Sequence, residues 1–233
     1  MREFWNWLIF TNAGLAVRIA GGVAIFALLA VWDIRRKGRH ARRWREYVFL
    51  AVVVLIAMAY GVVNDLVSSS ISWEYFYYGK NLEGVLGPDT PPNPVALHWE
   101  AMKIGAMATW TVGLLLGVAV LLANNPHKTL PQLPYQSLYR LVAIPVLTAA
   151  LFGVLGGVLG YGGYLARFSD DLGLLTAHGL WRPERFCCTW GIHLGGYIGG
   201  PIGGFLAVLL LLRKRIRLAG ATRGARERES KTP

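Results

Sequence analysis

Seven side chains that could bind a small ligand lie near the ends of apolar segments of this 233-residue chain. They comprise carboxylates, imidazoles, phenols and one ammonium group, which together can donate and accept hydrogen bonds. His193 and Tyr197 are four residues apart, so in a helix they share one face. The candidate ligand-binding residues are Asp65, Glu74, Tyr75, His98, Lys103, His193 and Tyr197.

Three of these candidates, Glu74, His98 and His193, also belong to the residue types that bind transition metals. Their spacing forms neither an H-E-x-x-H nor an E-x-x-H pattern, so it does not itself predict a metal site. His98 and His193 could instead be the two axial ligands of a haem held between helices. An interhelical hydrogen bond from His193 is the simpler interpretation, and the sequence indicates no particular cofactor.

Long apolar segments must position these residues. The chain is 54% hydrophobic with a mean hydropathy of +0.40, above the roughly 45–50% apolar content of soluble domains. A helix of about 20 apolar residues crosses the hydrocarbon core. The sequence therefore predicts an all-α integral membrane bundle with five transmembrane helices, at about 14–32, 47–66, 99–123, 141–165 and 186–212. Residues 213–233 are predicted to form a basic, disordered cytoplasmic tail.

The charged residues are distributed unevenly between the two sides of this predicted bundle. The segments 33–46, 124–140 and 213–233 hold 17 basic and four acidic residues, a balance of +13, whereas the other side holds seven and nine, a balance of −2. Because Lys and Arg collect in cytoplasmic loops, we expect the N-terminus outside and the C-terminus inside. This rule explains the net charge of +11 without nucleic acid as a partner.

An aromatic run, Trp73 to Tyr78, follows the second predicted span. Because Trp and Tyr are enriched at membrane interfaces, we expect this run to lie flat on the outer leaflet as a short amphipathic element. Glu74 gains nothing from that environment, so it is predicted to pair with a cation and to share one site with His193. The candidate cations are Arg18, Lys80, Lys103 and Arg167.

Glycines are concentrated in the fourth and fifth predicted spans, including the run from Gly195 to Gly204. Small residues allow two membrane helices to approach closely. The sequence therefore predicts that these two spans pack tightly and that their packing fixes the positions of His193 and Tyr197.

Four short motifs are spread across the membrane region. They are Asp65 at the end of a span, Glu74-Tyr75-Phe76 followed by Gly79, the stretch 108–113, and His193-x-x-x-Tyr197-x-Gly199-Gly200. Together they resemble an uncharacterised family of bacterial multi-span membrane proteins. The family pattern has His where this chain has Lys80, which counts against a metal site at that position. The resemblance implies no activity, only that these motifs belong together. With the charge asymmetry, it leads us to expect a location in the bacterial cytoplasmic (inner) membrane.

Three functional hypotheses follow. In the first, the protein is not an enzyme, and an outer-facing polar pocket between spans two, three and five binds a small ligand or a partner protein, or passes a solute. In the second, the protein is a membrane-embedded metal- or haem-dependent oxidoreductase, or a hydrolase, that uses His193 with Glu74 or Asp65. In the third, it is an accessory subunit of a larger membrane complex. The expected partners are the lipid bilayer and either another membrane protein or a second copy of the chain.

Overall fold

The computed structural model describes residues 11–38, 43–127, 129–169 and 180–229, and the regular structure of these ranges is entirely helical. The helices are α1 (Asn12–Lys37), α2 (Trp44–Ile71), α3 (Trp73–Tyr77), α4 (Glu83–Leu86), α5 (Pro94–Ala123), α6 (Tyr135–Tyr161), α7 (Ala166–Ser169) and α8 (Pro183–Glu229). Within these ranges, five helices are long and apolar enough to cross a membrane, namely α1, α2, α5, α6 and α8. The predicted all-α membrane bundle of five spans is confirmed.

The third span begins earlier than predicted. Asn93 caps α5, because its side-chain oxygen accepts hydrogen bonds from the backbone N–H groups of Val95 and Ala96. Pro94 then occupies the first turn, where its missing N–H group is not needed. The helix therefore starts at Pro94 rather than near residue 99, and it includes His98 and Lys103.

The last two spans also differ from the prediction. α6 covers Tyr135–Tyr161 rather than 141–165, and Gly163, with a φ of +81°, follows its end. α8 does not stop near residue 212 but continues to Glu229. The prediction that residues 213–233 are disordered is therefore wrong for the part of the tail that the structure describes.

Arg215, which lies in the predicted tail, is only 3% exposed. Its guanidinium donates hydrogen bonds to four backbone carbonyl oxygens at the end of α5 and in the loop that follows. These acceptors belong to Ala123, Asn125, Leu130 and Pro131. The last carbonyl groups of a helix have no partner within it, so Arg215 caps α5 from the neighbouring helix.

Two pairs of long helices form the bundle: α2 packs on α5, and α6 packs on α8. A Cβ atom added at Gly61 of α2 would lie 2.2 Å from the carbonyl oxygen of Gly105 in α5. One added at Gly156 of α6 would lie 2.1 Å from that of Gly191 in α8. Only glycine permits such a close approach. The predicted tight packing of the fourth and fifth spans is confirmed. α2 and α5 also approach each other closely at glycines.

The two helix pairs meet at both ends of the bundle through buried apolar side chains. At the basic end, where α2 begins and α5 ends, the cluster includes Phe49, Val120, Leu138, Val142 and Leu211. At the opposite end, here called the motif end, it includes Tyr75, Phe76, Leu97, Ala101 and Phe186. Contacts between the two pairs are far fewer than contacts within each pair, and a space remains between the pairs.

Asn124 holds the connection between α5 and α6 at the basic end. Its amide nitrogen donates to the carbonyl oxygen of Leu133 at 3.0 Å, and its amide oxygen accepts from the N–H of the same residue at 2.9 Å. The side chain is 6% exposed, so both hydrogen bonds are shielded from water.

We expect Asn124→Asp to lower the free energy of unfolding by about 1–3 kcal/mol, because a carboxylate cannot donate a hydrogen bond to the Leu133 carbonyl. Asn125→Asp is the matched control, since it makes the same chemical change on an exposed neighbour. Thermal unfolding in detergent measures both. Equal losses in the two variants would show that the Leu133 contact contributes nothing.

Candidate functional site

A cavity of about 620 Å³ lies between the two helix pairs. Pockets for small molecules typically measure about 300–1,000 Å³. The apolar part of its wall includes Ile56, Ile104, Leu116, Val146 and Phe205. Its polar part, towards the motif end, includes Tyr60, Asn64, Asp65, Lys80, His193 and Tyr197. The cavity is therefore amphipathic along its length.

α8 presents two rows of glycines, because residues four apart share a helix face. One row, from Gly191 to Gly203, faces α6; a Cβ atom added at Gly195 would lie 2.0 Å from the carbonyl oxygen of Phe152. The other row, from Gly196 to Gly204, lines the cavity, and a Cβ atom added at Gly200 would have nothing within 4 Å. The first row joins the helices, and the second leaves the cavity open.

His193 lies at the motif end of the cavity and is 5% exposed. Its Nε2 is 3.3 Å from the Oγ of Ser68 and 3.9 Å from Oδ1 of Asp65. Its ring stacks on Tyr75, with 4.9 Å between centroids, and meets Phe76 edge-on at 5.8 Å. Contacts with α2 and α3 thus fix the imidazole in one position.

Ser68, His193 and Asp65 have the residue types of a catalytic triad but not its geometry. In a triad, the serine and the carboxylate contact opposite nitrogens of the imidazole. Here both approach the same nitrogen, Nε2, and a flip of the ring would not separate them. The hydroxyl of Thr189 adds a further tie between α8 and α2, because it donates to the carbonyl of Ser68 at 3.3 Å. This arrangement supports an interhelical polar contact rather than a hydrolase site.

The structure places three of the seven predicted site residues in the cavity wall: Asp65, His193 and Tyr197. The ring of Tyr197 is 6.2 Å from that of His193 and is 57% exposed. Tyr75 stacks on His193 but is not itself part of the cavity wall. The remaining three candidates lie elsewhere.

The prediction that the aromatic run lies flat on the membrane surface is wrong. α3 is folded against α5 and α8, and its residues from Glu74 to Tyr77 are buried. Its large rings pack against Leu97 and Phe186, so the apolar area of the run is buried within the bundle. Burial, together with the neighbouring Tyr197 and Asp65, raises the pKa of Tyr75 above its ordinary value.

Glu74 has a different partner from the one predicted. Its carboxylate accepts a hydrogen bond of 2.5 Å from the backbone N–H of Trp181, and the side chain is 2% exposed. In the described part of the chain, Glu74 forms no ion pair, so the predicted cationic partner is wrong. Through this hydrogen bond, Glu74 connects α3 to the segment before α8. Glu74 is not part of the cavity wall that includes His193.

His98 and His193 are not brought to one place. Nδ1 of His98 lies 2.8 Å from the Oγ of Ser69, whereas His193 contacts Ser68. Consecutive helix residues point about 100° apart, so the two imidazoles contact different sides of α2. Lys103 pairs with Glu100 at 2.5 Å, one turn away on α5. Across the residues that the structure describes, no three His, Cys, Asp or Glu side chains are grouped to hold a metal ion.

Three polar residues of the cavity wall, Tyr60, Asn64 and Lys80, were not predicted as ligand contacts. Tyr60 lies on the same face of α2 as Asn64, and its buried hydroxyl is without a hydrogen-bond partner among the described residues. Lys80, predicted only as a partner for Glu74, lines the cavity with its ammonium 5.5 Å from the centroid of the Tyr75 ring. The four-residue spacing from Tyr60 to Asn64 was the sequence signal that could have shown the first of them.

The fold and the cavity together define a membrane-embedded helical bundle with an internal amphipathic cavity. Comparisons with known proteins found no matching family model, no similar curated protein and no similar solved structure. The resemblance to an uncharacterised bacterial family stays a prediction, so the function is argued from the cavity itself.

Proposed function

We propose that this protein binds a small amphipathic, lipid-like molecule in the cavity between its two helix pairs. The observation that carries the proposal is the division of the cavity wall: apolar along most of its length, polar at the motif end around Asp65, His193 and Tyr197. A molecule with an apolar tail and a polar head is complementary to such a wall. Pockets of this kind place a few polar groups to orient the ligand against an otherwise apolar surface.

The source of the ligand follows from the surroundings of the cavity. The cavity is partly open rather than sealed, and it is bounded by helices that are apolar enough to cross a membrane. A lipid-like molecule can therefore enter sideways from the bilayer without crossing water.

The proposal keeps the orientation that the charges indicate, with the N-terminus outside and the C-terminus inside the bacterial inner membrane. In this orientation, the polar part of the cavity lies in the outer leaflet. The oxidoreductase and accessory-subunit hypotheses stay predictions. A visible absorption band, stoichiometric metal or a partner protein that co-purifies at a fixed ratio would favour one of them.

A variant that fills the cavity tests the proposal. Gly200→Leu adds a side chain to the cavity wall at a position where a Cβ atom meets nothing within 4 Å, so the helices need not move. We expect the occupancy of co-purified or added lipid, measured by native mass spectrometry, to fall at least about tenfold, which corresponds to about 1.4 kcal/mol of binding free energy.

Gly22→Leu is the matched control. Gly22 also lies in a long apolar helix and also has nothing within 4 Å, but α1 contributes no residue to the cavity wall. Its lipid occupancy should equal that of the unchanged protein. Full occupancy in Gly200→Leu, or an equal loss in both variants, would mean that the lipid binds outside the cavity.

A further inference from the structure

We infer that the polar end of the cavity recognises a zwitterionic phospholipid headgroup with a primary ammonium, which Asp65 binds while Lys80 binds the phosphate. This inference rests on the proposed function and specifies the ligand of the same cavity. It follows from the charges, the hydrogen-bonding groups and the length of the cavity wall.

Two opposite charges line the cavity without neutralising each other directly. Asp65 is 4% exposed, and its carboxylate accepts a hydrogen bond from Asn64 at 3.1 Å. Lys80 contacts the face of Tyr75 and, within the described ranges, forms no ion pair within 4.0 Å. A purely anionic headgroup would be repelled by Asp65, and a purely cationic headgroup would be repelled by Lys80. A headgroup that carries both charges satisfies both residues.

The hydroxyl of Tyr60 favours a primary ammonium over a trimethylated one. Tyr60 precedes Asp65 on α2, and its buried oxygen has no partner in the described chain. A primary ammonium has three N–H donors, so it can bond to the carboxylate of Asp65 and still donate to this oxygen. A trimethylated ammonium has none and would leave the Tyr60 oxygen unsatisfied. Sites built to form a hydrogen bond discriminate strongly against analogues that lack it.

The apolar part of the wall accommodates the chain of such a lipid. The open glycine row begins at Gly196, beside the polar end, and the cavity wall on α8 continues to Val208. Twelve residues of helix extend about 18 Å, close to the roughly 15 Å hydrocarbon depth of one leaflet. One acyl chain can therefore lie along α8 while the headgroup stays near Asp65 and Lys80.

The test compares three lipids with identical acyl chains: phosphatidylethanolamine, phosphatidylcholine and phosphatidylglycerol. Each is titrated into delipidated full-length protein in detergent, and binding is followed by native mass spectrometry. We expect phosphatidylethanolamine to bind at least about tenfold more tightly than the other two, a difference of about 1.4 kcal/mol. Equal binding of all three would overturn the headgroup inference.

Three variants assign the contacts. Tyr60→Phe removes an oxygen that has no protein partner, so it should fold normally and should reduce the preference for phosphatidylethanolamine over phosphatidylcholine. Asp65→Asn should abolish the preference over phosphatidylglycerol. Lys80→Gln should weaken all three lipids, whereas Lys103→Gln, which makes the same change outside the cavity, should leave every affinity unchanged. An unaltered lipid order in both Tyr60→Phe and Asp65→Asn, or unaltered affinities in Lys80→Gln, would contradict the assignment.

The cavity-filling variant Gly200→Leu distinguishes a failure of the headgroup inference from a failure of the proposed lipid binding. If Gly200→Leu abolishes the binding of three lipids that the unchanged protein binds equally, the proposed function holds and the headgroup inference fails. If Gly200→Leu leaves all binding intact, the lipids occupy the outer surface of the bundle, and the proposed function itself fails.

Discussion

Replacing Gly195 by leucine is expected to separate α6 from α8 and to lower the yield of folded protein several-fold. A Cβ atom at Gly195 would lie 2.0 Å from the carbonyl oxygen of Phe152. That oxygen belongs to the backbone, so no side-chain rotation can relieve the overlap. Overpacking a core with side chains alone costs typically about 1–3 kcal/mol. Because whole helices must move here, we expect a loss of stability of about 3 kcal/mol or more.

The same helix supplies the control for this prediction. Gly220 lies on α8 and has nothing within 4 Å, so Gly220→Leu makes the identical substitution without a clash. Thermal unfolding and size-exclusion chromatography in detergent compare the two variants. If Gly195→Leu unfolds at the same temperature as Gly220→Leu, the close approach of α6 and α8 is not required for folding.

The number of spans and the pairing of α6 with α8 could be predicted because both depend on local properties of the sequence. Apolar length determines whether a helix can span the bilayer, and repeated glycines mark a close approach. The pairing of α2 with α5 was not predicted. It depends on Gly61 of α2 and on Gly105, Gly113 and Gly117 of α5. The three glycines of α5 lie at multiples of four residues and so share one helix face. The sequence therefore carried a signal for this pairing, but a less dense one than the glycine runs of α6 and α8.

The candidate site could be predicted only in part, because a sequence indicates the depth of a residue in the membrane better than its direction around a helix. Asp65 and His193 are polar residues within apolar helices, so they were found. Glu74 and His98 lie near the same end of the bundle but contact other residues, Trp181 and Ser69. The direction of Glu74 depends on how α3 folds back against the bundle, and that of His98 on a contact with Ser69 rather than Ser68.

Arg215 belongs to a helical four-residue repeat of buried residues, but the basic composition of the surrounding segment made this repeat hard to recognise in the sequence. The segment 213–217 contains four basic residues and was predicted as solvated tail. However, Gly203, Ala207 and Leu211 are buried at four-residue intervals on α8, and Arg215 continues this row. Only its neighbours in the segment are exposed. The helical repeat, rather than the local charge, determines which of these side chains turns inward.

Arg215→Ala is therefore expected to lower the free energy of unfolding by about 3 kcal/mol, because four partly buried carbonyl groups lose their charged donor. Arg215→Lys should recover part of this loss, since an ammonium offers three donors in place of the five of a guanidinium and cannot reach four spread acceptors at once. Arg215→Ala removes the positive charge and Arg215→Lys keeps it. Comparing their unfolding in detergent therefore separates the effect of charge from that of the hydrogen bonds to Ala123, Asn125, Leu130 and Pro131.

Arg217→Ala is the control for this last prediction, because Arg217 is exposed and lies on the same helix. Its removal changes the net charge by the same amount without taking a donor from the four carbonyl groups that Arg215 contacts. Its effect on stability should stay within about 0.5 kcal/mol. A loss in Arg217→Ala equal to that in Arg215→Ala would mean that the basic segment acts through its total charge, for example on anionic lipids. A loss confined to Arg215 would mean that one guanidinium fixes the end of α5 against α8 and so holds the two helix pairs together at the basic end of the cavity.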